Sequence, residues 1–249
     1  MNDVTKSLLA YWSLHQPGGG KGLPTAGLVF LAPLDTWAAR TASGHALTYR
    51  GTASTPVEPT ATVYKGIPCC QFPPDSLWSA SHTFKNGRYA YAGSLSCWVA
   101  SNQDLVKWKG SDYIVCIRTS TSGYIRYGVN WQNNLANLSA GTHDSAVAYN
   151  GYTSISNNTN WHHYCLLTDV PETPSTSKST GWHCVLYLDG QQVWEGTQQM
   201  SGTRLSVLMF GQARTSDSNV FSIAGIRAYN RLLKPAEIAA LASEYEPTT

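Results

Sequence analysis

The feature that most constrains the fold of this chain is a succession of short apolar segments separated by turn-forming residues. From residue 27 onward, short runs rich in apolar and β-branched residues alternate with Gly, Asn, Asp, Ser and Pro, a pattern typical of β-strands joined by turns. About eleven such segments predict a two-sheet antiparallel sandwich. The predicted strands are 27–34, 66–72, 94–100, 112–118, 124–129, 146–152, 161–168, 182–188, 192–195, 205–210 and 221–229.

Two local signals stand out in the later part of the chain. Asp189-Gly190 lies between two apolar strands and supplies the positive φ values of a type I′ turn, so it predicts a hairpin. Segment 234–245 predicts a short C-terminal helix, because Pro235 suits the first helical position and apolar residues recur every three or four positions. We expect this helix to cap one open end of the sandwich.

The first 26 residues differ in character from the rest. We therefore divide the chain into an N-terminal extension (1–26) and a sandwich domain (27–249). Segment 3–14 could form a short helix, and the glycine run at 18–20 follows it as a flexible joint. The extension is interpreted either as a docking peg for a partner or as an ordered edge of the domain. It lacks a basic start and a cleavage site, so a secretory signal is not expected.

Composition excludes several classes of function. Charged residues make up 13% of the chain and the net charge is +2, with no run of Lys or Arg that would attract a nucleic acid. No apolar run approaches the ~20 residues that span a bilayer, so membrane insertion is not expected. The apolar fraction of 42% is enough for a substantial core, which excludes wholesale disorder.

Six cysteines in a chain of this size, without a secretory signal, predict reduced thiols rather than a disulfide scaffold. Cys97, Cys116, Cys165 and Cys184 each lie in a strand-like run, where a free cysteine behaves as a small buried apolar residue. A Cys165–Cys184 bridge across neighbouring strands is the exception left open, in an oxidising compartment.

Four segments of the later half follow one another in a recognisable order: Trp-His-His-Tyr at 161–164, Leu-Tyr-Leu-Asp-Gly at 186–190, Val-Leu-Met-Phe-Gly at 207–211 and Ile-Arg-Ala-Tyr-Asn-Arg-Leu-Leu at 226–233. In this order and spacing they resemble the laminin-G-like domains of the concanavalin A-like lectin/glucanase superfamily. Segments 28–35 and 94–99 resemble the opening strands of that family. The resemblance covers roughly residues 27–245 and implies an all-β jelly roll of two curved antiparallel sheets.

The residues that carry this resemblance are expected to build the fold rather than an active site. Trp161 would plug the core, Asp189-Gly190 would form the hairpin, and the segment around Arg227 and Tyr229 would pair with the first strand. Motifs of this kind predict architecture better than activity.

Glycosidase chemistry requires two carboxyl groups about 5–5.5 Å or 6.5–9.5 Å apart. No strand carries the E-x-D-x-x-E pattern of the glucanases, and no nucleophile elbow, P-loop or H-E-x-x-H motif occurs. The chain is therefore predicted not to be an enzyme. Its six glutamates are Glu58, Glu172, Glu195, Glu237, Glu244 and Glu246.

Metal binding is weighed at two places. His162, His163 and His183 could be imagined as a cluster, but alternation along a strand points His162 and His163 to opposite faces, which favours a structural role. Asp35 and Asp217 are the candidate calcium ligands, because calcium prefers carboxylate oxygens in loops. At the position where the resemblance implies an Asp this chain has Ala224. No cofactor is therefore predicted, with calcium the alternative.

Recognition of sugars is the chemistry that remains. Sugar-binding sandwiches stack aromatic rings on sugar faces and read hydroxyl groups with amides and carboxylates. The densest group of such residues, 131–134, directly follows the predicted strand 124–129. Further aromatic and polar candidates lie earlier and later in the chain. The candidate glycan-binding residues are Trp108, Trp131, Gln132, Asn133, Asn134, Asp144, Tyr149 and Tyr152.

We interpret the chain as a non-catalytic adhesion or recognition module, a surface component of a phage virion such as a decoration, fibre or tail appendage. It would be made in the cytoplasm without a signal peptide, dock to other virion or assembly proteins through its N-terminal segment and bind cell-surface or extracellular glycans. The alternative is a stand-alone lectin-like protein of a bacterium, and a glycoside hydrolase ranks last. A homo-oligomer is left open.

Overall fold

The computed structural model describes residues 23–32, 34, 35, 37, 41–42, 45–81, 93–101, 110–119, 124–132, 135–141, 159–169, 181–199, 205–211 and 220–245. At 41–42, 45–46, 81, 110–119, 124–132, 135–141, 181–182, 197–199 and 205–208 the description is of the backbone alone. The helix predicted at 3–14, the glycine run at 18–20 and the strand predicted at 146–152 lie outside the described residues.

The described residues form fifteen strands and one helix. The strands are β1 (Leu28–Ala32), β2 (Thr41–Ala42), β3 (His45–Tyr49), β4 (Thr60–Tyr64), β5 (Ile67–Phe72), β6 (Leu77–Ser81), β7 (Gly93–Ser101), β8 (Gly110–Thr119), β9 (Tyr124–Gln132), β10 (Leu135–Gly141), β11 (His162–Asp169), β12 (Gly181–Leu188), β13 (Gln191–Gln199), β14 (Leu205–Gly211) and β15 (Phe221–Tyr229). The helix, α1, spans Pro235–Ala242. At eight residues it is too short and insufficiently apolar to cross a membrane, and it is the one helix in the described part of the chain.

Two antiparallel sheets pack face to face. The larger sheet has the order β13-β12-β11-β7-β15-β5-β4, and β1 pairs with β15 beyond the point where β5 leaves it. The smaller sheet has the order β10-β9-β8-β14-β6-β3-β2. The predicted all-β sandwich is confirmed, including the pairing of the Arg227 segment with the first strand.

Five strands, β2, β3, β4, β6 and β10, were not predicted from the sequence. They contain Ala, Ser, Asn and Thr in place of the apolar runs that mark central strands, and β4 follows Pro59 directly. Weak local propensity is overridden here by pairing with a stronger neighbour, since β4 pairs with β5 and β6 pairs with β14.

The main core lies between the sheets and is built from alternate residues of each strand. Leu95, Cys97 and Val99 of β7 face Trp78 and Phe210 of the smaller sheet within this core, and Trp78 and Phe210 are fully buried. Alternation sends the intervening residues of the larger sheet to its other side, which we call the outer face.

The same alternation excludes the disulfide left open by the sequence. Cys165 pairs with Tyr187 and belongs to the outer-face cluster, whereas Cys184 pairs with Thr168 and belongs to the main core. Because the two thiols lie on opposite faces of the sheet, they cannot form the cross-strand bridge. The five described cysteines are buried thiols, and burial raises the pKa of Cys70 to about 12.

The prediction that the C-terminal helix caps an open end of the sandwich is wrong: the C-terminal segment covers the outer face of the larger sheet. Ile238 and Leu241 of α1 are fully buried against Cys165, Val185 and other outward-facing residues. The outward-facing side chains of β11 and β12 are apolar, so this face is stabilised when another element packs on it and removes it from water.

The hairpin at Asp189-Gly190 is confirmed, with φ of 49° and 77° at the two positions. Asp189 also ties the turn to β11, because its Oδ1 accepts the backbone N–H of His163 at 2.8 Å and its backbone N–H donates to the His163 carbonyl at 2.8 Å. The Asp-Gly pair is thus a structural element, as its motif implied.

Residues 23–26, assigned to the extension by sequence, contact the sandwich. The hydroxyl of Tyr229 donates to the Pro24 carbonyl at 3.1 Å, and Arg231 Nε donates to the Ala26 carbonyl at 2.7 Å. Leu23 packs against the outer-face cluster.

Candidate functional site

The structure describes only part of the predicted glycan-binding set. Trp131 and Gln132 are the last two residues of β9, and their backbones pair with Ala136 and Leu135 of β10. Asn133 and Asn134 stand between these strands, outside the described residues. Trp108, Asp144, Tyr149 and Tyr152 also lie outside the described residues.

The strand register fixes the level and face of Trp131. Across β8 its partner is Gly110, so Trp131 lies between two residues of small size, Gly110 and Ala136. Buried Phe210 pairs with Val115, and Val115 pairs with Tyr127, four residues before Trp131 on the same strand. Since residues four apart share a face, position 131 is on the core-facing side, at the last pair between β8 and β9.

A cluster of described residues at the end of the sandwich was missed by sequence reasoning. We call it the rim cluster: Tyr64, Lys65, Ser101, Thr159, Asn160 and Trp161. Its centre is an edge-to-face pair of Tyr64 and Trp161, with ring centroids 6.1 Å apart. The indole Nε1 of Trp161 donates to the Tyr64 carbonyl at 2.8 Å, and burial raises the pKa of the Tyr64 phenol.

The rim cluster joins the ends of the two chain segments that hold four of the eight predicted glycan-binding residues. Tyr64 Oη lies 3.1 Å from the Ser101 carbonyl and 3.4 Å from the Thr159 carbonyl. Segment 102–109, with Trp108, begins directly after Ser101, and segment 142–158, with Asp144, Tyr149 and Tyr152, ends directly before Thr159. One tyrosine therefore anchors both.

A tight turn exposes the polar part of the rim cluster. Lys65 and Gly66 have φ of 45° and 81°, the left-handed pair that reverses β4 into β5. The Lys65 ammonium donates to Asn160 Oδ1 at 2.9 Å. A Lys-Gly dipeptide between Tyr64 and Ile67 was the available signal, but flanking prolines at 59 and 68 obscured the hairpin.

The calcium candidates receive no support from geometry. Asp35 is partly buried, and its Oδ1 has no hydrogen-bond partner among the described residues. Asp217 lies outside them. Within the described part of the chain, three or more His, Cys, Asp or Glu side chains nowhere gather into a metal-binding group.

A serine–histidine pair lies under the C-terminal segment. Ser96 Oγ and His163 Nε2 are 2.8 Å apart, and both residues are fully buried. Burial, together with the nearby Arg227 charge, lowers the pKa of His163 to about 3. A neutral imidazole sealed from solvent cannot meet a substrate, so this pair belongs to the fold. His162 instead contacts Asp189, with Nδ1 2.7 Å from Oδ2.

The described glutamates are engaged in contacts within the chain. Glu58 accepts from the Trp37 indole, Glu195 contacts His183, Glu237 contacts Arg231, and Glu244 contacts Arg227. The last pair is almost completely buried, with side chains 4% and 5% exposed. Glu172 and Glu246 lie outside the described residues.

Comparisons with known proteins identify the fold. Neither the protein-family models nor the curated proteins include a match to this chain. Among solved structures, domain 4 of AbnA, an extracellular GH43 arabinanase of Geobacillus stearothermophilus, is similar with a TM-score of 0.62 and 15% identity. The match covers 88% of this chain and 99% of that domain, which was solved in complex with arabinotriose.

Two toxin binding domains are similar as well. The binding domain of Paraclostridial Mosquitocidal Protein 1 has a TM-score of 0.60 at 14% identity, over 88% of this chain and 52% of that one. The binding domain of botulinum neurotoxin DC in complex with SialylT has a TM-score of 0.60 at 14% identity, over 89% and 52%. This chain therefore spans about half the length of these domains. At such identities the likeness establishes the β-sandwich fold.

Proposed function

We propose that this chain is a non-catalytic glycan-binding module with a laminin-G-like jelly roll. The observation that carries the proposal is the match with the arabinotriose-bound domain, because it extends over nearly all of that domain and 88% of this chain. The neurotoxin DC domain captured with SialylT supports the same class of ligand.

We place the glycan site where segments 102–109 and 142–158 meet the end of β9. The support is topological: the rim cluster anchors the ends of both segments, and Gly110, which follows the first, pairs with Trp131. In this proposal Trp108, Trp131, Tyr149 and Tyr152 offer ring faces to a sugar, and Gln132, Asn133, Asn134 and Asp144 bind its hydroxyl groups.

A glycan array with the purified full chain tests this function, in calcium and in EDTA. We expect specific binding, lost in Asn133→Ala and Trp108→Ala at unchanged melting temperature and kept in Gln191→Ala, an exposed position on β13. Trp131→Ala should also abolish binding, but it needs the melting control because position 131 is on the core-facing side. Absence of binding to arabinan-type, sialylated and other arrayed glycans would count against the proposal.

The finer part of the proposal is that the module is carried on a phage virion, anchored by its N-terminal segment. The low charge of the chain and the distinct composition of its first 26 residues support it. The structure refines the test, since residues 23–26 contact the sandwich and should be kept. Deleting residues 1–22 should leave the melting temperature unchanged and prevent incorporation into particles; normal incorporation would argue against the anchor.

A further inference from the structure

The edge strand β4 carries an apolar side chain that is largely exposed to solvent. Val63 is 65% exposed, the one large apolar residue so exposed in the described part of the chain. It pairs with Pro68, on the same face as the pair Ala61–Cys70, and Cys70 is fully buried in the main core. Val63 therefore lies on the core-facing side of the larger sheet, beyond the reach of the facing sheet.

Pro59 and Lys65 flank the same strand, but none of its own five residues is a charge or a proline that would protect the sheet edge. Its sequence, Thr-Ala-Thr-Val-Tyr, contains no charge and no proline, and strong β-formers make up most of it. Its neighbour in the sheet is β5 on one side only, and no described strand pairs with the other. Free backbone groups along an uncharged, β-forming edge favour pairing with a further strand.

We propose that β4 pairs with β4 of a second copy of this chain, antiparallel about a two-fold axis, so that the larger sheet continues across a dimer. The register that pairs all five residues places Thr62 opposite its own copy and Val63 opposite Ala61. Cross-strand Thr–Thr pairs are favourable, and the Val63–Ala61 contacts cover the exposed apolar surface on the core-facing side.

The opposite edge of this sheet shows why the partner is β4 rather than β13. In β13 the central residue is Glu195, half exposed, so the full self-pairing register would set two carboxylates against each other. Like charges directly opposite destabilise a strand pair, whereas β4 carries no charge that could oppose itself. This pairing needs no ligand, and it meets the rim cluster only at Tyr64, the last residue of β4.

Analytical ultracentrifugation of the full chain over a concentration series tests the dimer. We expect reversible dimerisation, weakened roughly tenfold or more by Val63→Lys, which removes the apolar contact and adds a charge to each strand. Gln191→Lys, the same charge at an exposed position of β13, should leave the dissociation constant unchanged. A chain that is monomeric at every concentration, or a dimer indifferent to Val63→Lys, would overturn the proposal.

Cross-linking tests the register. Self-paired strands bring opposite Cα atoms to about 4.5–5.5 Å, within disulfide range. Thr62→Cys should therefore form a covalent dimer on mild oxidation, and Val63→Cys, two positions out of register with its own copy, should form far less. Equal cross-linking of the two variants, or none of Thr62→Cys, would refute this pairing.

Discussion

The outer face of the larger sheet and the rim cluster use polar contacts in opposite ways. On the outer face, Arg227 of β15 and Glu244 of the C-terminal segment form an ion pair that is nearly sealed from water. Trp98 donates to the Leu241 carbonyl at 3.2 Å. At the rim, the Lys65–Asn160 contact is exposed. The first closes the fold and the second leaves polar groups available at the surface.

This difference indicates that the outer face contributes mainly to stability, whereas the rim cluster has polar groups available for recognition. A buried ion pair holds its partners strongly, because neither charge can return to water if the other is removed. An exposed contact exchanges readily with solvent, so its loss changes little. Four predictions test this division, in order of decreasing expected effect on stability.

Removing one partner of the buried pair should have the largest effect. Arg227→Met leaves the Glu244 carboxylate buried and unpaired, and we expect a loss of about 3–5 kcal/mol in chemical denaturation. The control is the double variant Arg227→Met with Glu244→Leu, which should recover most of the loss because no charge remains buried. A loss below about 1 kcal/mol in the single variant would show that the pair is open to water.

We expect His163 to make the free energy of unfolding depend on pH. Burial holds its folded-state pKa near 3, below the unfolded value of 6.5, so the unfolded chain alone takes up a proton as the pH falls below 6.5. The resulting loss of stability is about 1.4 kcal/mol per pH unit at full slope. His163→Gln should lose this slope between pH 6.5 and 5, above the range in which most carboxylates titrate.

Denaturation of both proteins at several pH values measures this difference. Carboxylates contribute only at lower pH: the Arg231 contact lowers the pKa of Glu237 to about 2, so its stabilisation is lost between about pH 4.5 and 2. Parallel pH profiles for the two proteins above pH 5 would contradict the buried, neutral state of His163.

The fold was largely predictable because its central strands have a clear signal in their own sequence. Apolar runs marked β7, β11 and β15, and Asp189-Gly190 marked its turn. Strands such as β4 and β6 were missed, since their pairing partners rather than their own side chains stabilise them. The helix was predicted, but its packing site was not. That site depends on which sheet has apolar side chains on both of its faces, and this follows from the strand order, which the sequence does not display.

The candidate site was less predictable for a physical reason. The aromatic residues of this chain serve both core and surface, and sequence alone does not separate the two uses. Trp161 was correctly assigned to packing, while its partner Tyr64, which anchors two segments 37 and 95 positions away, was not recognised. Contacts over such separations follow from the completed topology and have no local signal.

Two glycines in similar turns, one beside α1 and one at the rim cluster, allow the two regions to be compared directly. Gly190 and Gly66 both have positive φ, near 77° and 81°, so alanine would strain either backbone by about 1 kcal/mol. At Gly190 the added Cβ would also lie 3.3 Å from Ala242 of α1, whereas at Gly66 it would meet nothing within 4 Å. Gly190→Ala should therefore lower the melting temperature more than Gly66→Ala, and equal shifts would mean that the helix yields.

The smallest effect on stability is expected at the rim. Lys65→Ala removes an exposed contact with Asn160, so the melting temperature should stay within about 2 °C of the native value. Lys234→Ala, another exposed lysine, at the start of α1, is the matched control. If the rim cluster borders a glycan site, Lys65→Ala should weaken binding on the array while Lys234→Ala does not. A fall of several degrees for Lys65→Ala alone would instead make the rim turn a structural closure like the outer face, and the division between the two regions would fail.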